Sequence, residues 1–282
     1  MELRFLMIPE KTLQTLELDK ILDKIATYTT FSGGEELVRG LFPTTDLTEA
    51  QIWQKETAEA RLLFENKTNV TLGGVRDVRE ISRAAARGVV IDPPILQDIR
   101  NTLRRGMTIK RILGRMKSTY PLLGSVAEMI EECVDLQDAI GNVLDDNNEV
   151  KDSASPKLAI IRRDLKIAFE RLQSKLQRIL STPSKSQYLQ ESIITMRSGR
   201  YVVPIKADHK GKIPGVVHDS SSSGATLFIE PLETVELNNQ WREFQIEEEK
   251  EIRRILAALS AQVGEQTDYI VHTVGVLAYI DL

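Results

Sequence analysis

Residues 156–181 read PKLAIIRRDLKIAFERLQSKLQRILS, and this stretch decides the fold. Leu158, Ile161, Leu165, Ala168, Leu172, Leu176 and Ile179 recur by threes and fours over three heptads, the spacing that keeps apolar side chains on one seam of a coiled-coil-like helix. Thr182-Pro183-Ser184 ends it, since proline cannot continue a helix. From Ser192 to Glu230 the pattern changes to short β-rich runs: Ile193-Ile194-Thr195, Tyr201-Val202-Val203, Val216-Val217, and Ala225 to Ile229. The turn signals Ser198-Gly199, Lys210-Gly211 and Ser223-Gly224 separate them, so a small antiparallel sheet is expected. A second heptad-like stripe follows in Leu237, Trp241, Phe244, Ile252, Ile255, Leu259 and Val263, with Glu247-Glu248-Glu249 in its middle. The order helix, sheet, helix predicts two long helices paired antiparallel, Leu158 near Val263 and Ile179 near Leu237, with the sheet at their tip.

Upstream, apolar residues keep helical spacing from Glu10 to about Leu136. Leu18, Ile21, Leu22 and Ile25 stripe a first helix, and Phe42-Pro43 ends a second. Asp46 with Glu49 forms a capping box that opens a long third helix carrying Ile52, Trp53, Ala60 and Leu63. Gly73-Gly74 marks a loop. Another helix runs from about Arg76 to Arg87 and stops at Gly88, and Asp92-Pro93 supplies an N-cap and a first-turn proline for the next. The polar loop Asp145 to Glu149 is the first candidate boundary. The fold class is therefore mainly α with a small antiparallel β-rich head.

Composition fits this reading. Of 282 residues, 41% are hydrophobic and 28% charged, the profile of a folded globular chain. A formal charge of −4 gives the whole molecule no attraction for nucleic acid, so any anion-binding surface must be local. The single cysteine, Cys133, lies in an apolar stretch and reads as a buried, inert thiol in a reducing compartment. No apolar run reaches the roughly 20 residues of a membrane span, and the N-terminus lacks a basic region followed by an apolar one. A soluble, cytoplasmic protein without a membrane partner is expected.

Charge is unevenly distributed. From Lys151 to Arg178 there are eight bases against three acids, from Arg197 to Lys212 five against one, and from Glu233 to Arg254 seven acids against four bases. Arm charges can pair across the hairpin, whereas the head has no acidic run beside it. Arg200, Val202, Pro204 and Lys206 share one parity, so Arg200 and Lys206 face the same way on a regular strand. Such a row can cradle a nucleic-acid backbone, or be a solvated strand face or a lysine-protected edge. Ser220, Ser221, Ser222 and Ser223 beside Gly224 make a donor-rich turn that can satisfy itself or meet phosphate oxygens. Arg197, Arg200, Lys206, Lys210, Lys212 and these four serines are the candidate nucleic-acid-binding residues.

Catalytic and metal chemistry find little support. No G-x-x-x-x-G-K-[ST] phosphate loop exists, so this chain is expected to bind no ATP. His209, His218 and His272 lack metal-ligand spacing, and the loop at Asp145 has Val150 where a calcium loop needs glycine. The cluster from His218 to Ser223 holds the residue types of a hydrolase triad, but neighbours on a strand point to opposite faces. No catalytic and no metal residue is assigned.

Several motifs together resemble the second MutS subfamily. They are Asp152-Ser153-Ala154-Ser155-Pro156, Arg200-Tyr201-Val202-Val203-Pro204-Ile205-Lys206, Gly215-Val216-Val217-His218-Asp219, Ser223 to Pro231, and Glu236-Leu237-Asn238-Asn239, with Thr15-Leu16-Glu17 and Gly73-Gly74-Val75-Arg76-Asp77 upstream. The resemblance implies a helical core (1–148), an outgoing lever/clamp helix (149–191), a β-rich clamp head (192–231) and returning helices (232–282). It also implies that full-length relatives are homodimeric ATPases using ATP and Mg, with a nuclease-linked C-terminal domain. Branched DNA, ribosomal RNA and the ribosome are the implied partners, in suppression of recombination or rescue of collided ribosomes. The sequence ends at Leu277 to Leu282, about where the family's lever enters its ATPase domain, so a non-catalytic piece without cofactors is expected. The alternative is a protein-docking scaffold or dimerisation arm that touches no nucleic acid.

Overall fold

The computed structural model describes residues 8–66, 68 and 70–282. The first seven residues, read above for a leader pattern, lie outside these. The chain divides into two compact units, one of residues up to Lys151 with Leu256–Leu282, the other of Asp152–Ile255.

The first unit is helical. In chain order it holds α1 (Glu10–Thr15), α2 (Leu18–Ala26), α3 (Ser32–Arg39), α4 (Leu47–Glu65), α5 (Arg79–Ala86), α6 (Pro93–Arg115), α7 (Pro121–Glu128) and α8 (Val134–Val143). Asp46 caps α4 as its sequence indicates, accepting from Thr48 N (2.7 Å) and Glu49 N (3.2 Å). Helix α6 is the centre of this unit. Leu96, Ile99, Leu103, Ile109 and Leu113 follow its 3.6-residue period and are fully buried, joined by Leu63, Val75, Tyr120 and Ile130. Not every apolar stripe is covered, for Ile21 on α2 and Ile52 on α4 are 50% and 44% exposed. Half-buried Cys133 opens α8, and burial pushes its thiol up to about 11.

The second unit is mixed. It contains α9 (Pro156–Ser181) and α10 (Pro183–Ser186), then β1 (Thr195–Arg197), β2 (Arg200–Lys206), β3 (Gly215–Ser220) and β4 (Thr226–Pro231). Helix α11 (Leu232–Glu265) contributes its residues up to Ile255 here and the remainder to the first unit, which α12 (Thr267–Asp281) completes. Asp281 on α12 accepts from the backbone and hydroxyl of Thr30 at 2.8 and 2.7 Å. The four strands form one antiparallel sheet in the order β1-β2-β4-β3. The fold is mainly α with a small antiparallel sheet.

Two expected features are different, the register of the arm and the place of the sheet. Arg162 meets Glu248 (2.7 Å) and Lys175 meets Glu233 (2.8 Å), so Leu158 lies level with the turn of Glu251, about three helical turns short of Val263. Heptads repeat, so an apolar stripe alone cannot say which turn faces which. The sheet also packs alongside α9 rather than beyond its tip. Val203, Ile205 and Ile229 share a core with Leu172, Leu176 and Trp241, and Tyr201 sits edge-on to Trp241 at 4.9 Å. Asn238, fully buried, clasps β2 by accepting from Tyr201 N (3.0 Å) and donating to Tyr201 O (3.1 Å).

A polar clasp starts α9. Ser155 Oγ accepts from Leu158 N (2.9 Å) and donates to Glu251 Oε1 (2.8 Å), while Glu251, 1% exposed, also takes Arg254 and Lys157. The Arg254 guanidinium, with help from Ser155 and Lys157, holds this carboxyl at about 2 against an ordinary 4.5. A carboxyl depressed in the folded state stabilises fully above its unfolded value and loses that contribution as pH falls through the folded one. Between about pH 4.5 and 2 the second unit is therefore expected to lose stability, followed by thermal unfolding. Glu251→Ala should cost about 1–3 kcal/mol at neutral pH and flatten that part of the acid profile. An unchanged profile in the variant would remove Glu251 from the clasp.

Candidate nucleic-acid interface

Alternation along β2 and β4 sorts the head into two faces. Tyr201, Val203, Ile205, Leu227 and Ile229 turn to the helices, and Arg200, Val202, Pro204, Lys206, Phe228 and Glu230 to the other side. On that outer face Glu230 is 2% exposed, a buried carboxylate that requires partners. It has two: Arg200 Nη1 at 3.1 Å and His218 Nε2 at 2.7 Å. His218 reaches it because β3 shifts register between Val217 and Asp219, a bulge that re-aims the side chain. Arg197 pairs with Asp219 (3.2 Å) and lies over the Phe228 ring at 4.3 Å. Both arginines of the candidate row are thus held by acids of the sheet itself.

The lysines are placed differently. Lys206 closes β2 opposite Thr226, where Ala207 N donates to Ala225 O (3.0 Å) and Ser221 N to Thr226 O (2.9 Å). That end of the sheet therefore joins Lys206 to the serine turn between β3 and β4. Lys210 and Lys212 follow in the crossover that leads from β2 to β3. All three lysines are exposed and none has an ion-pair partner among the described residues. In the turn, Gly224 takes a positive φ of 71° and donates to Ser221 O (2.9 Å), and Ser221 Oγ accepts from Thr226 N (3.0 Å). Ser221 and Ser223 hydroxyls lie 3.3 Å apart, Ser220 N is bound to Asp219 (2.8 Å), and Ser222 is exposed. The structure therefore brings Lys206 and the serine turn together, ties Arg200 to Glu230, and has Arg197 share Asp219 with Ser220.

Pairing across the hairpin, expected for the arm, holds for Arg162, Lys175 and Lys185, which meet Glu248 or Glu233. Lys166 and Arg171 are exposed without an acidic partner among the described residues. A second basic stretch escaped the sequence reading altogether. Arg100 to Arg115 on α6 holds six bases and no acid, interleaved with the buried stripe of Leu103, Ile109 and Leu113 that makes the helix read as ordinary.

No family model matches the chain. Curated relatives do. Endonuclease MutS2 of Symbiobacterium thermophilum is 41% identical over 272 residues, covering 96% of this chain and 34% of the relative. The proteins of the same name from Pelotomaculum thermopropionicum and Alkaliphilus oremlandii are 39% and 38% identical over 96% and 92% of the chain. The chain is MutS2-like. It spans about a third of the length of these relatives. In this chain's fold, the motif from Arg200 to Lys206 is strand β2, Gly215 to Asp219 is the bulged β3, and Ser223 to Pro231 is the turn with β4. Glu236 to Asn239 supplies the asparagine that clasps Tyr201. Asp152 to Pro156 supplies the serine cap of α9.

Proposed function

We propose that this MutS2-like chain is the clamp and lever portion of a longer ATPase and grips the phosphate backbone of branched DNA or ribosomal RNA through the end of its sheet. The reading is carried by one observation, the exposed and unpaired lysines Lys206, Lys210 and Lys212 beside the serine turn. Lysine ammonium groups, serine hydroxyls and turn amides suit phosphate oxygens and read no base edges, so sequence preference is not expected. The name of these relatives, endonuclease, fits a nucleic-acid target. Suppression of recombination and rescue of collided ribosomes are the processes this contact would serve. ATP, Mg, the nuclease step and homodimerisation are assigned to the rest of the longer relatives, with no catalytic role for this chain.

Binding of a branched duplex or an rRNA fragment, measured across a salt series, is expected to be weak and to fall on a log–log plot with a slope of about −2 to −3, one phosphate per free lysine. An affinity indifferent to salt would reject phosphate contact and favour the protein-docking scaffold.

A further inference from the structure

The Gly73-Gly74 pair faces a polar side of α6. Leu72 to Val75 forms a tight turn closed by Val75 N donating to Leu72 O (3.0 Å), with Gly74 at φ 88°, where a residue with a Cβ is strained. The turn is fixed in place. Leu72 and Val75 are buried in the core, and Arg76 N donates to the buried Thr102 Oγ1 (3.0 Å).

Across from it, Asn101, Arg104, Arg105 and Thr108 are spaced i, i+3, i+4, i+7 and share one face of α6. A face with that spacing, turned toward another segment, is usually apolar. This one is polar, and with the two glycines it lines a cleft of about 350 Å³ that contains no carboxylate. Neither Arg104 nor Arg105 has an ion-pair partner among the described residues. One turn earlier, Arg100 packs its guanidinium against Gly141 of α8 and is not part of the cleft, so Arg104 and Arg105 are the charges that line it. The space that a Cβ on Gly74 would occupy is open, with no atom within 4 Å of it, so a ligand can approach the turn's backbone.

We infer that this cleft is an oxyanion site that takes a phosphoryl group. Two guanidinium forks and the Asn101 amide supply hydrogen-bond donors from one wall, and the bare glycine turn forms the other. A phosphoryl group offers oxygens in several directions and can meet both walls at once. Its source is either a free phosphate compound or the backbone of a nucleic acid. The site lies wholly in the first unit and does not rest on the head's contact with nucleic acid.

The test uses the 282-residue chain and its Arg104→Gln/Arg105→Gln variant, with two probes read by calorimetric titration. The first probe is pyrophosphate. The second is a single-stranded oligonucleotide, presented to chains that also carry Lys206→Glu, Lys210→Glu and Lys212→Glu, so that the head does not contribute. Both arginines reach solvent and glutamine is a good helix former, so far-ultraviolet circular dichroism should be unchanged. The parent is expected to bind at least one probe, and the double variant to bind it at least about tenfold more weakly, as loss of charge-assisted bonds requires. Loss for pyrophosphate alone identifies a free phosphate compound, and loss for the oligonucleotide identifies a backbone. A parent that binds neither probe, or a double variant that binds as the parent does, overturns the inference.

Discussion

Reversing Lys206, Lys210 and Lys212 together to glutamate is expected to weaken binding of branched DNA or ribosomal RNA by at least about a hundredfold at low salt. Each lysine removed from a phosphate takes about one unit from the salt slope, and reversal adds repulsion to the loss, so the three together should leave almost no salt-dependent binding at the head. All three side chains are exposed and none holds an acid of the fold, so the helical dichroism should match the parent. Arg200 belongs to a separate experiment. Its guanidinium pairs with Glu230, which is 2% exposed, and Arg200→Ala would leave that carboxylate with His218 alone. Loss of binding in an Arg200 variant would therefore report a destabilised head, whereas loss in the lysine variant reports contact. A lysine variant that folds and binds as tightly as the parent would hand the function to the scaffold reading.

Leu172→Ala is expected to cost about 3 kcal/mol, confined to the second unit. Leu172 is fully buried where α9, α11 and the sheet meet, among Leu176, Val203, Ile229 and Trp241, so truncation leaves a cavity that three elements would have to close. Amide exchange should accelerate between residues 152 and 255, while α6 and α12, whose core is built from Ile109, Leu113, Val276 and Leu277, keep their protection. Equal acceleration in both units would show that they unfold as one.

How far the sequence alone leads follows from which signals are local. The seam from Leu158 to Ile179 and the strands around Val202, Val217 and Phe228 are visible because side-chain period is a local property. The register of the arm is not, because every heptad resembles the next. It depends on particular long-range pairs such as Arg162 with Glu248 and Ser155 with Glu251. The fate of Arg200 was equally hidden, since Glu230 lies thirty residues on and His218 joins it only through a bulge that strand parity does not foresee. For Arg197 the acid was nearer in sequence, Asp219, yet β1 and β3 are opposite edges in the order β1-β2-β4-β3, so strand adjacency does not foresee that pair either. The arginines of α6 could have been found by counting charge from Arg100 to Arg115, had the buried stripe between them not offered a sufficient explanation of the helix.

Amide hydrogen exchange of the chain with and without a saturating branched duplex or rRNA fragment tests the central claim most directly. Slowed exchange at residues 206–212 and 221–225, with α9 and the outer face around Arg200 unchanged, is the expected result. Binding that leaves both of those segments unaltered, with protection elsewhere, would contradict it.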